Sequence, residues 1–173
     1  MCGGSSGYEA IVDVGVIVVA HFKNPLEEDA LKLLKRILSF ELRALIPLSL
    51  FLGASLIMTK YLRLPFKDVN DKLRETLRVS SPAFYEDLKK DDVIRALENS
   101  AYYRVESWDA YLLSLAEKFN VNIILSIDER LKEKVKEKFI VVNPFEDKMK
   151  EYHDFISRIR RPEGDPALSP PRT

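Results

Sequence analysis

The chain has 173 residues, one cysteine and equal numbers of basic and acidic side chains, 27 Lys+Arg against 27 Asp+Glu. That length suits one domain with a proper core, the lone Cys2 excludes an internal disulfide, and neutrality argues against unselective, high-affinity nucleic-acid binding, although a basic patch can hide in a neutral total. The apolar run Val14 to Ala20 is too short to span a bilayer and nothing before it has the basic start of a signal peptide, so the expectation is a cytoplasmic protein with no membrane role.

Met1 to Gly7 reads as a flexible leader or tag remnant, 8–161 as one domain including a C-terminal helix, and 162–173 as a tail too poor in apolar residues to order. The first strand is Glu9 to Val14, an apolar run interrupted by Asp13 and followed by Gly15. The pattern alone lets this strand continue to Ala20, while Gly15 permits a turn into a short helix over Val16 to Phe22. Asn24-Pro25 starts a helix from Leu26 to Phe40, with Glu27, Glu28 and Asp29 in a first turn whose dipole favours them. Leu42 to Ile46 is a second strand, closed by Pro47. Leu48 to Leu62 is a helix apolar on nearly every side, expected to be buried between the sheet and other helices.

Phe66 to Val79 and Pro82 to Tyr103 are charged, amphipathic helices. Their stripes Val69-Leu73-Leu77 and Val93-Leu97-Ala101 predict core contacts, and Lys89-Lys90-Asp91-Asp92 predicts a solvated face. Ser107 can cap a helix from Trp108 to Phe119, with Trp108, Leu112, Leu115 and Phe119 on its inner side. A strand over Val121 to Leu125, a helix over Glu129 to Lys138 and a last strand over Phe139 to Val142 follow. A terminal helix, Asp147 to Arg161, would dock on the domain or on a second copy. Strands alternating with helices across short connections predict an α/β fold, a central parallel sheet covered on both faces in three layers, α/β/α.

Three carboxylates stand at element ends. Asp13 is costly to bury unless paired or placed where a strand opens into a cleft, Asp109 is in the first turn of a helix, and Asp128 follows Leu125-Ser126-Ile127. A parallel sheet can gather them at one edge, where they repel unless a cation bridges them or some take up protons. Hard oxygen donors select Mg²⁺ or Mn²⁺, and an ion so held can activate water for attack on a phosphodiester. Each residue also has a plainer reading: Asp13 as a structural carboxylate, Asp109 as a first-turn charge, Asp128 as a helix cap, Ser126 as a turn hydroxyl and Trp108 as core. His21 and His153 lie far apart without a carboxylate motif. Lys60, Arg63, Lys67, Arg158, Arg160 and Arg161 could meet phosphate, but solvation accounts for them.

In combination, Ile11-Val12-Asp13, Ala44-Leu45-Ile46-Pro47, Ser107-Trp108-Asp109-Ala110 with Leu115-Ala116-Glu117, and Ile123 to Leu131 (IILSIDERL) make the chain resemble PIN-domain proteins over roughly Glu9 to Pro144. Many of that family are metal-dependent ribonucleases, including the toxins of prokaryotic toxin-antitoxin pairs. The resemblance implies a PIN-like three-layer fold with a central parallel sheet, Asp13, Asp109 and Asp128 as metal-site acids, and Ser126 as a residue that hydrogen-bonds within the site. It also implies an RNA substrate, a homodimer and, for a toxin, an antitoxin partner. One position departs: the family's glutamate in the helix after the second strand aligns with Gly53, and no Asp or Glu occurs between Glu41 and Asp68. Glu106, one turn before Asp109, is the nearby replacement.

Two function classes therefore follow from the residues and the resemblance. One is a Mg²⁺- or Mn²⁺-dependent ribonuclease; the other, motivated by Gly53, is a degenerate PIN-like module that binds RNA or a protein partner without catalysis. A phosphatase using Asp13 as nucleophile ranks last, because Asp13-Val14-Gly15 lacks the second aspartate two residues on.

Overall fold

In the computed structural model, residues 7–86 and 88–160 are described; the leader up to Ser6, Arg161 and the tail lie outside them. The strands are Ala10–Val12 (β1), Ala44–Pro47 (β2), Phe84–Tyr85 (β3), Ile123–Leu125 (β4) and Ile140–Val142 (β5). They form one all-parallel sheet of order β3-β2-β1-β4-β5. Helices Val14–Val19 (α1), Glu27–Leu38 (α2), Ser49–Leu56 (α3), Phe66–Leu77 (α4), Lys90–Tyr103 (α5), Ser107–Phe119 (α6), Glu129–Val135 (α7) and Met149–Arg160 (α8) complete the three-layer α/β/α arrangement. Central strands covered on both faces need continuous apolar runs, and Ile11, Val12, Leu45, Ile46 and Ile124 are all fully buried.

The order of strands places the site. From β1 the chain steps outward through β2 to β3, then α5 and α6 carry it back so that β4 pairs on the other flank of β1. The direction of winding reverses between β1 and β4, and the carboxyl ends of such a pair open a crevice that helices cannot close. Among the described residues no helix is long and apolar enough to cross a membrane.

Several expectations are corrected. The first strand ends at Val12, and the chain turns at once into α1 rather than continuing to Ala20 or waiting until Val16, because Asp13 caps the helix by accepting from the Val14 N–H at 2.6 Å. Pro47 lies within β2, which starts at Ala44 rather than Leu42. Pro82 to Glu86 is not helical: it holds β3, whose two residues pair with Ile46 and Pro47, and α5 starts only at Lys90. The helix after β2 is α up to Leu56 and π-helical over Ile57–Tyr61, and it is not buried all round, since Leu52 is 75% exposed and Leu56 and Tyr61 about half exposed.

The stripe Val93-Leu97-Ala101 also faces outward; α5 instead buries Asp92, Ala96 and Asn99. The polar face has partners. Lys118 on α6 donates to Asp92 at 2.9 Å and to the Tyr85 hydroxyl at 2.8 Å, while Asn99 donates to Ser114 at 3.2 Å. Burial alone would lift the Asp92 carboxyl, but Lys118 and the Lys89 N–H hold it below its ordinary pKa. The ion pair thus ties β3, α5 and α6 together and removes Asp92 from the solvated face expected of it.

Trp108 is 46% exposed rather than core, and α6 starts at Ser107 with Glu106 at its cap position. The helix after β4 stops at Val135, three residues short of Lys138. At the C-terminal end, α8 docks on the domain: Phe155 packs on Phe22 with ring centroids 6.4 Å apart, and Lys148, just before the helix, pairs with Asp29 on α2 at 2.6 Å.

Candidate active site

Parallel register brings the first site residues together. Val12 pairs with Leu125, so Asp13 and Ser126, each the next residue along its strand, emerge side by side at the carboxyl edge. The ladder continues one step, with the Asp13 N–H donating to the Leu125 carbonyl at 2.9 Å and the Ser126 N–H to Val142 at 3.0 Å. Ser126 is 1% exposed; its hydroxyl donates to Asp13 Oδ2 and accepts from the Asp128 N–H at 3.0 Å. Asp13 is thereby fixed through both oxygens, Oδ1 on Val14 and Oδ2 on Ser126.

Asp128 caps α7, its Oδ1 accepting from the Arg130 N–H at 2.8 Å. The capping reading of Asp128 and its place in the cluster are therefore both true. Asp109, in the first turn of α6, comes to the same cleft, a space of about 260 Å³ lined also by Gly15, Ile57, Glu106, Arg130 and Lys134. The three aspartates singled out from the sequence thus share one cleft at the switch point, with Ser126 beneath Asp13.

The electrostatics follow from crowding. Burial lifts the pKa of Asp13 above its ordinary value; the hydrogen bonds from Ser126 and Val14 oppose this, and the charge of Asp128 adds to it. Asp109 is pushed up to about 7, first by burial and then by Asp13, Asp128 and Glu106, with Lys134 opposing. Glu106 is therefore part of the site, not merely near it. Negative charge on Asp109 is thus disfavoured at this cleft, and a bound cation would relieve it.

In kind, the donors suit a hard divalent cation, all of them carboxylate or hydroxyl oxygen. As the side chains lie, no three His, Cys, Asp or Glu among the described residues gather closely enough to hold a metal ion. Asp13 is pinned by two hydrogen bonds, so bringing three carboxylates onto one ion requires Asp109 or Asp128 to change rotamer. At Gly53 there is room: a β-carbon there would meet only Val14 Cγ2, at 3.4 Å.

Gly15 is present for a different reason. A β-carbon at this position would lie 2.8 Å from Ile127 Cγ1, the side chain between Ser126 and Asp128. Gly15→Ala should therefore displace the β4–α7 connection and cost about 1–3 kcal/mol of stability, read as a lower urea midpoint at unchanged slope; an unchanged midpoint would mean that Ile127 moves aside freely.

His21 takes no part. It is buried, its Nδ1–H donating to the Ile17 carbonyl at 2.6 Å and its Nε2 facing the Thr76 hydroxyl at 2.8 Å, and burial lowers its pKa. What the sequence reading missed is the pair Arg130 and Lys134. On a charged helix such residues look like ordinary surface, and only their four-residue spacing after the cap Asp128 could have marked them as one cleft-facing row.

No family model matches the chain and no curated protein matches it. Among solved structures the chain is similar to the crystal structure of PAE2754 from Pyrobaculum aerophilum, with a TM-score of 0.53 and 15% identity, over 90% of this chain and 98% of that one. At that identity the likeness concerns the fold alone.

Proposed function

We propose that the chain is a PIN-domain-like, metal-dependent ribonuclease that hydrolyses RNA phosphodiester bonds with Mg²⁺ or Mn²⁺ as cofactor. The observation that supports this best is Asp13, Asp109 and Asp128 lining one cleft at the switch point, where burial first and the neighbouring carboxylates second lift Asp109 to about 7. In this reading those three carboxylates hold the ion and Ser126 keeps Asp13 in place. The ion, when bound, lowers the pKa of a water and offsets charge on the phosphate.

The deciding assay incubates the full chain with labelled RNA and Mn²⁺ beside Asp13→Asn. Cleavage by the parent that falls by more than about a hundredfold in the variant is the expected result, since even residues that only orient metal ligands cost 10–100-fold. Equal cleavage by both would make the activity a contaminant.

A second reading has its own motive, Gly53 in place of an acid and side chains not drawn together for an ion. It makes the chain a PIN-like module that binds RNA or a protein partner without catalysis, and parental cleavage in the same assay ends it. For a toxin of a toxin-antitoxin pair, the protein partner would be an antitoxin. A homodimer belongs to the first reading: Leu52, Leu56, Val93, Leu97 and Trp108 are each 41% or more exposed, an apolar display that a second copy would cover. Sedimentation at the monomer mass of 19.9 kDa would remove the dimer.

A further inference from the structure

We infer that the acidic cleft and the helical segment that runs on past it form a binding track for single-stranded RNA, with Arg130 and Lys134 holding phosphates and Tyr61 stacking a base. The identity of the polymer rests on the ribonuclease reading; the division of labour between the two rests on their residues.

The floor of the cleft carries Asp13, Asp109 and Asp128, so a polyanion cannot lie on it unaided and must be held from the sides. Arg130 and Lys134 stand four apart on α7 and both line the cleft. That spacing sets their Cβ atoms about 5–6 Å apart on one helix face, a gap that neighbouring phosphates of one strand can span. Neither cation is neutralised firmly. The Arg130 side chain is 89% exposed with Asp128 3.8 Å away, and Lys134 donates to the Arg104 carbonyl at 2.7 Å, a neutral acceptor.

The helical segment that brings Ile57 to the cleft has another chemistry. Gly53, Ile57 and Tyr61 follow one another at four-residue intervals through α3 and the π-helical turn, so they share one side of that segment. Gly53 faces Val14 and Ile57 lines the cleft, which puts Tyr61 one turn beyond Ile57 along the same segment, past the cleft's own lining. Tyr61 is 53% exposed, and the Lys60 ammonium stands 5.6 Å from its ring centroid. An exposed aromatic ring beside a cation suits an unpaired base and not a paired one.

The test measures binding and not cleavage: fluorescence anisotropy of a labelled ten-nucleotide single-stranded RNA with the full chain in EDTA, over a range of NaCl concentrations. Tyr61→Ala is expected to weaken binding roughly tenfold with the salt slope unchanged, and Tyr61→Phe to restore it. Arg130→Gln and Lys134→Gln should each lower the slope of log K against log salt by about 0.7. Lys32→Gln on α2, where Lys32 pairs with Glu28, should change neither. Arg130 is so exposed that its exchange leaves the core untouched, which keeps the test clear should Lys134→Gln unfold.

Parental affinity that survives both Tyr61→Ala and Arg130→Gln overturns the inference, as does duplex RNA binding as tightly as single strands or no RNA binding at all. Binding lost in these variants, in a protein that cuts no RNA, leaves the track standing and ends the ribonuclease reading. Cleavage unaffected by them does the reverse.

Discussion

At pH 8 and without divalent ions, Asp109→Asn should be more stable than the parent by about 2–4 kcal/mol. The reason lies in proton binding. Asp109 has its pKa raised from 3.8 to about 7, so the folded state holds its proton more tightly than the unfolded chain does. The stability that follows from this is full below about pH 4 and is lost as pH rises through about 7. A rise of roughly three pH units corresponds to about 4 kcal/mol at most, and solvent at the cleft mouth reduces that. Asparagine keeps the shape and removes the charge, so the advantage of the variant should grow from nothing at pH 4 to its full value at pH 8.

Thermal melts can read this as a gap of roughly 5–15 °C at pH 8, given about 2–4 °C per kcal/mol for a chain of this size. On the ribonuclease reading, Mn²⁺ should then raise the parent's midpoint by neutralising the cluster and raise that of Asp109→Asn far less, while RNA cleavage falls in the variant. Other groups, His21 among them, also shape the parental curve, so the difference between the two proteins is the quantity that tests the raised pKa of Asp109. Parallel curves at every pH would mean that neither burial nor the charges of Asp13, Asp128 and Glu106 raise the Asp109 pKa, and the cation would lose its electrostatic motive.

The site was legible where it is built by strand ends. Asp13 interrupts an apolar run, Asp128 follows one, and a parallel register leaves Asp13 and Ser126 nowhere to go but side by side. Less local features were not legible. β3 has two residues, too few to show a period, and exists because Ile46 and Pro47 offer it an edge. The inner face of α5 was read from the apolar stripe Val93-Leu97-Ala101, but that stripe is exposed and the packing is decided by Asp92, a charged residue whose partner Lys118 lies 26 positions away. Periodicity ranks residues by hydrophobicity, and it fails where a partly buried ion pair supplies the contact. The same blindness hid Arg130 and Lys134, since no property of their own separates them from a solvated lysine.

On the ribonuclease reading, Gly53→Glu should supply the acid that the PIN-domain resemblance places at this position. A glutamate here starts from a β-carbon in ordinary contact with Val14 Cγ2, on the wall that Ile57 carries into the cleft, so the backbone of α3 need not move. Exchanging a helical glycine also helps the helix by up to about 1 kcal/mol. Against this stands a further negative charge on the segment that Ile57 carries into the cleft, and without a cation the repulsion should make the variant less stable than the parent above about pH 7, where Asp109 ionises. With Mn²⁺ the sign reverses, because an additional anionic donor tightens a hard-cation site by roughly tenfold or more. Calorimetric titration and melts with and without Mn²⁺ test both halves: tighter binding and a larger metal-induced rise in midpoint are expected. If parent and variant bind the ion equally, position 53 does not face it, and Gly53 then gives no reason to read the chain as a degenerate module.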